Sequence, residues 1–196
     1  MSYLNCVRAI LAGALCIGCG EGGLSSESSL IDLNNQPAEP FGISASPCLV
    51  FVFTRTDCPI SNRYAPEIQR LYDRFSPKGV EFLLIYPDPN ESTEGVRKHR
   101  QEYGYPCAAL RDPHHELVRR TGVRVTPEAA VFVRSATSGH RMVYRGRIDD
   151  RYTDFGKARP SPAKRDLEEA LEAVLKGGAV ECTTTTAVGC FISDLK

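Results

Sequence analysis

Apolar positions in this chain follow two periodicities, and their alternation lays out the fold. Residues 48–54 (CLVFVFT) run almost without a polar break and are rich in β-branched and aromatic types. Such a run is a strand buried on both faces, as in a parallel sheet. Residues 80–86 (VEFLLIY) form a second run of this kind. Between them Tyr64, Ile68, Leu71, Tyr72 and Phe75 recur at helical spacing, with Pro66 inside the pattern to kink it. Residues 90–103 read as a polar surface helix and 107–110 as a short strand. Asp112-Pro113 signals a helix start, with Asp as N-cap and Pro in the first turn, running to about Thr121 and stopping at Gly122. Residues 129–133 form a further strand, 135–139 a hairpin turn and 141–145 the returning strand. Leu167, Ala170, Leu171, Val174 and Leu175 mark a last amphipathic helix, closed by Gly177-Gly178. The order β-α-β-α-β-α-β-β-α predicts an α/β fold. Its central sheet is mostly parallel, with an antiparallel edge hairpin and flanking helices.

Composition narrows the class. The chain has 196 residues, 42% of them hydrophobic, with 24 Lys+Arg balanced by 24 Asp+Glu. This suits one domain with tails. Zero net charge lacks the basicity of a nucleic-acid binder, so no nucleic-acid partner is expected. No apolar run is long enough to span a membrane. Eight cysteines are the unusual count, and they point toward export. Arg8 precedes a short apolar run ending in small residues, the pattern of a secretory signal. Ile17-Gly18-Cys19 resembles the end of a bacterial lipoprotein box, in which the cysteine carries a lipid anchor; a first buried helix is the other reading. The expected organisation is a signal peptide over 1–18, a tether and first strand over 19–40, a domain over 41–176 and a cysteine-containing tail over 177–196. The mature chain would be exported, periplasmic or membrane-anchored through Cys19. Five cysteines would then remain besides Cys19, an odd number: Cys48, Cys58, Cys107, Cys182 and Cys190.

Cys58 carries the chemistry. It lies where the first buried strand gives way to a helix, and backbone N–H groups and the helix dipole converge there. Both favour a thiolate, the nucleophile of disulfide exchange and peroxide reduction. An inert buried thiol is the alternative.

The segment Cys58-Pro59-Ile60-Ser61-Asn62-Arg63-Tyr64-Ala65-Pro66 resembles the thioredoxin active site, Cys-x-x-Cys followed by Ala-Pro. Gly122-Val123-Arg124-Val125-Thr126-Pro127, with Phe132 beyond, is similar to the thioredoxin segment that carries the cis-proline. The resemblance covers about residues 48–176. The helix and strand between 90 and 110 look like the insertion of the redoxin or AhpC/TSA branch, which includes thiol-disulfide proteins and peroxiredoxins. Thr56-Asp57-Cys58-Pro59, residues 144–150 (YRGRIDD) and the closing Val188-Gly189-Cys190-Phe191-Ile192 also resemble bacterial redoxin-domain proteins. The resemblance implies a thioredoxin-like fold with one helix-strand insertion. It also implies a cis Pro127 over Cys58 and a Thr126 backbone that pairs with an extended substrate chain.

Three positions depart from these families. Ser61 stands where thioredoxin has its second cysteine, although Ser61 can still hydrogen-bond the Cys58 sulfur. Phe51 and Arg55 stand where peroxiredoxins have Pro and Thr. What remains is attack by Cys58 on a protein disulfide or a peroxide, without cofactor or metal. Resolution falls to Cys190 on the tail, with Cys182 as a near-equivalent, to Cys107, or to an external thiol. A Cys182–Cys190 tail disulfide is the structural reading of the same residues. The alternatives in function are a one-cysteine peroxidase and a thiol copper carrier. The copper carrier's second cysteine would fall at residue 62, which is Asn.

Lesser signals read as structural. Arg55 and Arg63 flank the thiol and read mainly as solvated. Arg147 could reach the site from the hairpin. Asp149 and Asp150 read as a turn with local salt bridges, and His114-His115 as surface residues.

Overall fold

The computed structural model describes residues 30–135 and 139–192. The signal pattern, Cys19 and the tip of the 135–139 turn lie outside them. Strands β1 (Ile31–Asp32), β2 (Cys48–Phe53), β3 (Val80–Tyr86), β4 (Ala108–Arg111), β6 (Glu128–Ser135) and β7 (Gly139–Gly146) form one sheet in the order β1-β4-β3-β2-β6-β7. Between β4 and β6 in the chain lies the short β5 (Val125–Thr126), which stands outside the sheet. Strands β2, β3 and β4 are parallel. The β6–β7 hairpin and β1 add antiparallel strands on the two edges. The predicted fold class is therefore the one observed.

Burial explains why β2 tolerates no polar residue. Cys48, Val50 and Val52 face one cluster, with Ile68, Leu71 and Phe75 of α3 (Ala65–Phe75) and Leu167 and Leu171 of α6 (Asp166–Leu175). Leu49, Phe51 and Phe53 face the other, with Leu117 and Val118 of α5 (Glu116–Thr121). Alternate side chains of a strand point to opposite faces, so a sheet covered on both sides needs a continuous apolar run. Each such buried side chain contributes about 1.5–3 kcal/mol.

The kink at Pro66 is a full break. Helix α2 (Pro59–Arg63) ends at Tyr64, where α3 begins with Pro66 in its first turn. Proline has no N–H to continue the ladder, and its ring collides with the carbonyl four residues back. Helix α4 (Thr93–Glu102) follows β3, capped by Ser92 as its hydroxyl accepts from Gly95 N at 3.0 Å.

Helix α5 starts later than the Asp112-Pro113 signal predicts. Residues 113–114 turn first, and His115 takes a left-handed conformation with φ 56°. The Asp112 carboxylate caps across this turn, accepting from Glu116 N at 2.7 Å and Val118 N at 2.9 Å. His115 is buried, not a surface residue, because its Nε2 donates to the Pro87 carbonyl at 2.8 Å. His114 is exposed, as read. A small hairpin, β8 (Tyr152–Asp154) with β9 (Lys157–Ala158), follows the Asp149-Asp150 turn where the apolar pattern predicts no element.

The tail returns to the domain. Arg145 N donates to Thr183 O and Thr185 N to Arg145 O, at 2.9 and 3.1 Å. The Thr185 hydroxyl lies against Tyr144 Oη at 2.8 Å and accepts from Arg147 N at 3.0 Å. Gly146 makes room for it, since a Cβ there would lie 2.1 Å from that hydroxyl. Beyond this anchor the chain forms β10 (Cys190–Phe191), antiparallel to β5.

Candidate active site around Cys58 and Cys190

Cys58 is the N-cap of α2. Its backbone is extended (φ −86°, ψ 108°), and its sulfur accepts from Ser61 N at 3.5 Å. The strand delivers the residue, and Pro59 starts the helix where a missing N–H leaves nothing unsatisfied. The side chain is fully buried. The Thr126–Pro127 bond is cis. Thr126 O lies 3.0 Å from Cys58 Sγ. The Cys190 sulfur lies 2.7 Å from the Cys58 sulfur, both cysteines being free thiols.

The two thiols are driven apart in acidity. Burial works against a Cys58 thiolate, but hydrogen bonds from the Cys190 thiol and the Ser61 amide outweigh it. The Cys58 thiol is held below its ordinary range. Burial and the facing Cys58 sulfur push Cys190 up to about 12. Of the pair, Cys58 is therefore the more acidic thiol and Cys190 the less acidic.

Cys58, Ser61, Thr126, Pro127 and Cys190 all meet at this point, though Ser61 acts through its backbone amide; its buried hydroxyl has no hydrogen-bond partner among the described residues. Cys107 is buried, and burial pushes its thiol up to about 12. Cys182 is exposed and its sulfur faces Thr184 O at 3.3 Å. The proposed tail disulfide is thus not formed. Arg147 does not reach the site; it is spent on Asp166, Nε to Oδ2 2.7 Å. Arg55 is ion-paired rather than solvated, at 3.1 Å to Asp57 and 3.0 Å to Asp88, and its Nη1 donates to Phe191 O at 3.5 Å. Arg63 is exposed, as read. Asp149 accepts from Tyr64 Oη at 2.5 Å, and Asp150 pairs with Arg159, so both serve structure. Among the described residues no group of three or more His, Cys, Asp or Glu side chains converges to hold a metal ion.

Sequence reasoning missed the polar frame behind Cys58. Glu91 Oε1 accepts from Thr56 N at 2.6 Å, and Asn62 Nδ2 donates to Thr56 O at 3.2 Å. His99 Nε2 donates to Asn62 Oδ1 at 2.8 Å, which leaves His99 Nδ1 to accept from Tyr86 Oη at 2.9 Å. One assignment of the His99 ring and the Asn62 amide satisfies the whole chain. It clamps the Thr56 peptide two residues before Cys58. A groove of about 830 Å³, lined in part by Val125, Glu128, Phe155, Cys190 and Phe191, opens on the tail side.

This fold, with a cysteine heading a helix and a cis-proline beside it, defines a thioredoxin-like protein. The model of the AhpC/TSA family matches residues 29–144, and the chain belongs to that family. No curated protein matches it. A conserved protein from Geobacillus kaustophilus is similar in structure, with TM-score 0.71 and 26% identity over 84% of this chain and 87% of that one. A hypothetical protein from Sinorhizobium meliloti has TM-score 0.68 and 27% identity over 83% and 88%. A secreted Mycobacterium tuberculosis disulfide oxidoreductase shares the fold at TM-score 0.50 and 16% identity, over 73% and 92%.

Proposed function

We propose that the chain is a thiol–disulfide oxidoreductase in which Cys58 is the attacking thiolate and Cys190 the resolving thiol. One observation carries this reading: the tail sets a second thiol 2.7 Å from Cys58, supplying the partner that Ser61 removed from α2. Cys58 attacks one sulfur of a substrate disulfide, forming a mixed disulfide and expelling the other sulfur as thiolate. Cys190, losing its proton to solvent, then attacks the Cys58 sulfur and expels the second substrate thiolate. The substrate disulfide is reduced by two electrons, and the Cys58/Cys190 pair is oxidised to a disulfide. An external dithiol returns the pair to the reduced state, reaching it from the groove beside Cys190. Thr126 and Pro127 close the site opposite α2. A peroxide is the less supported oxidant, because Arg55, at the peroxiredoxin threonine's position, is tied to Asp57 and Asp88. The N-terminal signal pattern supports work outside the cytoplasm.

The test is to reduce the protein, add one equivalent of 5,5′-dithiobis(2-nitrobenzoate), alkylate the remaining thiols and map the cysteines by peptide mass. A Cys58–Cys190 disulfide is expected. Alkylated Cys58 beside a Cys182–Cys190 disulfide would overturn the reading.

A further inference from the structure

Helix α2 has five residues, too few to be stable by itself. Its first turn nonetheless has to keep the Ser61 amide aimed at the Cys58 sulfur. What holds it comes from elsewhere in the fold. Asn62 brackets Cys58 twice. Its backbone N donates to Cys58 O at 3.0 Å, and its side-chain Nδ2 donates to Thr56 O at 3.2 Å. The second bond straps residues 56–62 into one loop around the thiol. Asn62 keeps that orientation because His99 Nε2 donates to its Oδ1 at 2.8 Å, and His99 is itself fixed by Tyr86 Oη at 2.9 Å. The His99 side chain is buried, its ring against those of Tyr103 and Tyr105 at 4.8 and 5.5 Å between centroids. Tyr105 Oη in turn donates to Ser61 O at 3.4 Å. His99 and Tyr105 both belong to the stretch between β3 and β4. Buried polar side chains cost stability unless each is satisfied, and apolar ones would fill the same space. A satisfied polar chain adds what apolar packing does not, a single orientation.

We propose that His99 and Asn62 are positioning residues for Cys58: through them α4 holds the first turn of α2, so that the Ser61 amide stays on the Cys58 sulfur. This deepens the reading of Cys58 as nucleophile and rests on it. The effect passes through two backbone groups, Thr56 O and Ser61 N. Loss of the strap frees the turn, weakens the donor and makes the Cys58 thiol less acidic. Less of it is then thiolate at a given pH, and the first attack slows in proportion. Cys190 is held by β5 instead and keeps its place. The stretch between β3 and β4 thus acts on the thiol without contributing a group to the reaction.

The experiment follows alkylation of Cys58 by iodoacetamide against pH in the reduced full chain, read by peptide mass, with a thermal melt for each variant. Asn62→Leu should raise the Cys58 midpoint by about one pH unit, the size of one hydrogen bond to a charged sulfur. Asn62→Ala, a plain truncation, takes its place if the leucine variant does not fold. His99→Phe keeps a ring against the tyrosines and should raise the midpoint in the same direction. The double variant should go no further than the Asn62 variant alone, because both act through one bond. His99→Gln, whose amide can donate to Asn62, should bring the midpoint most of the way back. Leu167→Val trims the core in α6 and should lower the melting temperature with the midpoint unmoved. Asn62 and His99 variants that melt earlier while Cys58 keeps its midpoint would overturn the proposal. So would shifts that add in the double variant, or an equal shift in Leu167→Val. The Cys58–Cys190 disulfide formed by 5,5′-dithiobis(2-nitrobenzoate) tests the underlying function separately. Present in wild type while the midpoints stay unmoved, it sinks this inference alone; absent in wild type, it sinks the function.

Discussion

Two buried cysteines frame strand β2, one at its first residue and one five residues past its last. Burial leaves Cys48 and Cys58 almost without solvent contact. Yet burial pushes the Cys48 thiol up to about 12, while Cys58 is held below its ordinary range. The difference is what stands beside each sulfur. Cys48 is surrounded by the apolar cluster of α3 and α6, which offers a thiolate nothing. Cys58 heads α2, where the Ser61 amide and the Cys190 thiol both point at it. Desolvation is common to both sites; donors decide which thiol is the more acidic.

The strongest way to break that comparison is to exchange serine for each cysteine in turn. Cys58→Ser should abolish turnover of a disulfide substrate, by about 10³-fold or more. Cys48→Ser should leave turnover within about twofold and instead lower stability, since a hydroxyl replaces a thiol that packs in the core. Equal losses in an insulin-reduction assay would show that the two thiols do not differ as described. Next in size is Cys190→Ser. It should leave the first attack intact and stop the second, so a Cys58–substrate mixed disulfide accumulates and can be seen by mass. Turnover that continues at the wild-type rate, with no trapped adduct, would hand resolution to an external thiol.

The sequence announced one half of this pair more clearly than the other. Strands β2, β3 and β6 are continuous apolar runs, and such patterns survive because the core demands them. Cys58 was legible because a strand end and a helix start are both local signals. Pro127 was legible through the motif around it. Cys190 stood as one of three candidate resolving thiols, since nothing local in residues 183–192 says that they return to residue 126. The nearest signal is Gly189, whose need for space becomes visible only once Thr126 is opposite it. Asn62, Glu91 and His99 were hidden for a related reason. In their own segments they look like ordinary polar surface residues; Asn62 of α2 meets His99 of α4, and Glu91 meets the Thr56 amide, only across the fold. The late start of α5 belongs here too. Asp112 does cap, but across a turn whose shape is set by the His115 bond to Pro87 in another segment.

The pH dependence sharpens the comparison further. Alkylation of Cys58 by iodoacetamide should have its midpoint below that of free cysteine. Cys190→Ala removes a donor and should move the Cys58 midpoint upward; Cys190→Ser keeps a donor and should move it less. No movement in either variant would assign the raised acidity of Cys58 to α2 alone. The sign for stability follows. Because the folded Cys58 thiol is the stronger acid, the reduced protein gains this stabilisation above the ordinary thiol range and loses it as pH falls through the folded value.

The smallest effect concerns the frame rather than the sulfur. Burial pushes Glu91 up to about 6, above its unfolded value, while its carboxylate still accepts from Thr56 N. A carboxyl whose folded value is raised favours folding below its unfolded range, and that contribution fades as pH rises through about 6. At pH 7 the ionised group is therefore a strain on the loop that precedes Cys58. Glu91→Gln keeps an acceptor for Thr56 N and removes the charge. It should stabilise the protein at pH 7 by up to about 2 kcal/mol and leave it unchanged at pH 4. Thermal melts at the two pH values measure this directly. A variant destabilised at pH 7 would show that the charge on Glu91, through Arg55, holds the loop more than its burial opposes it.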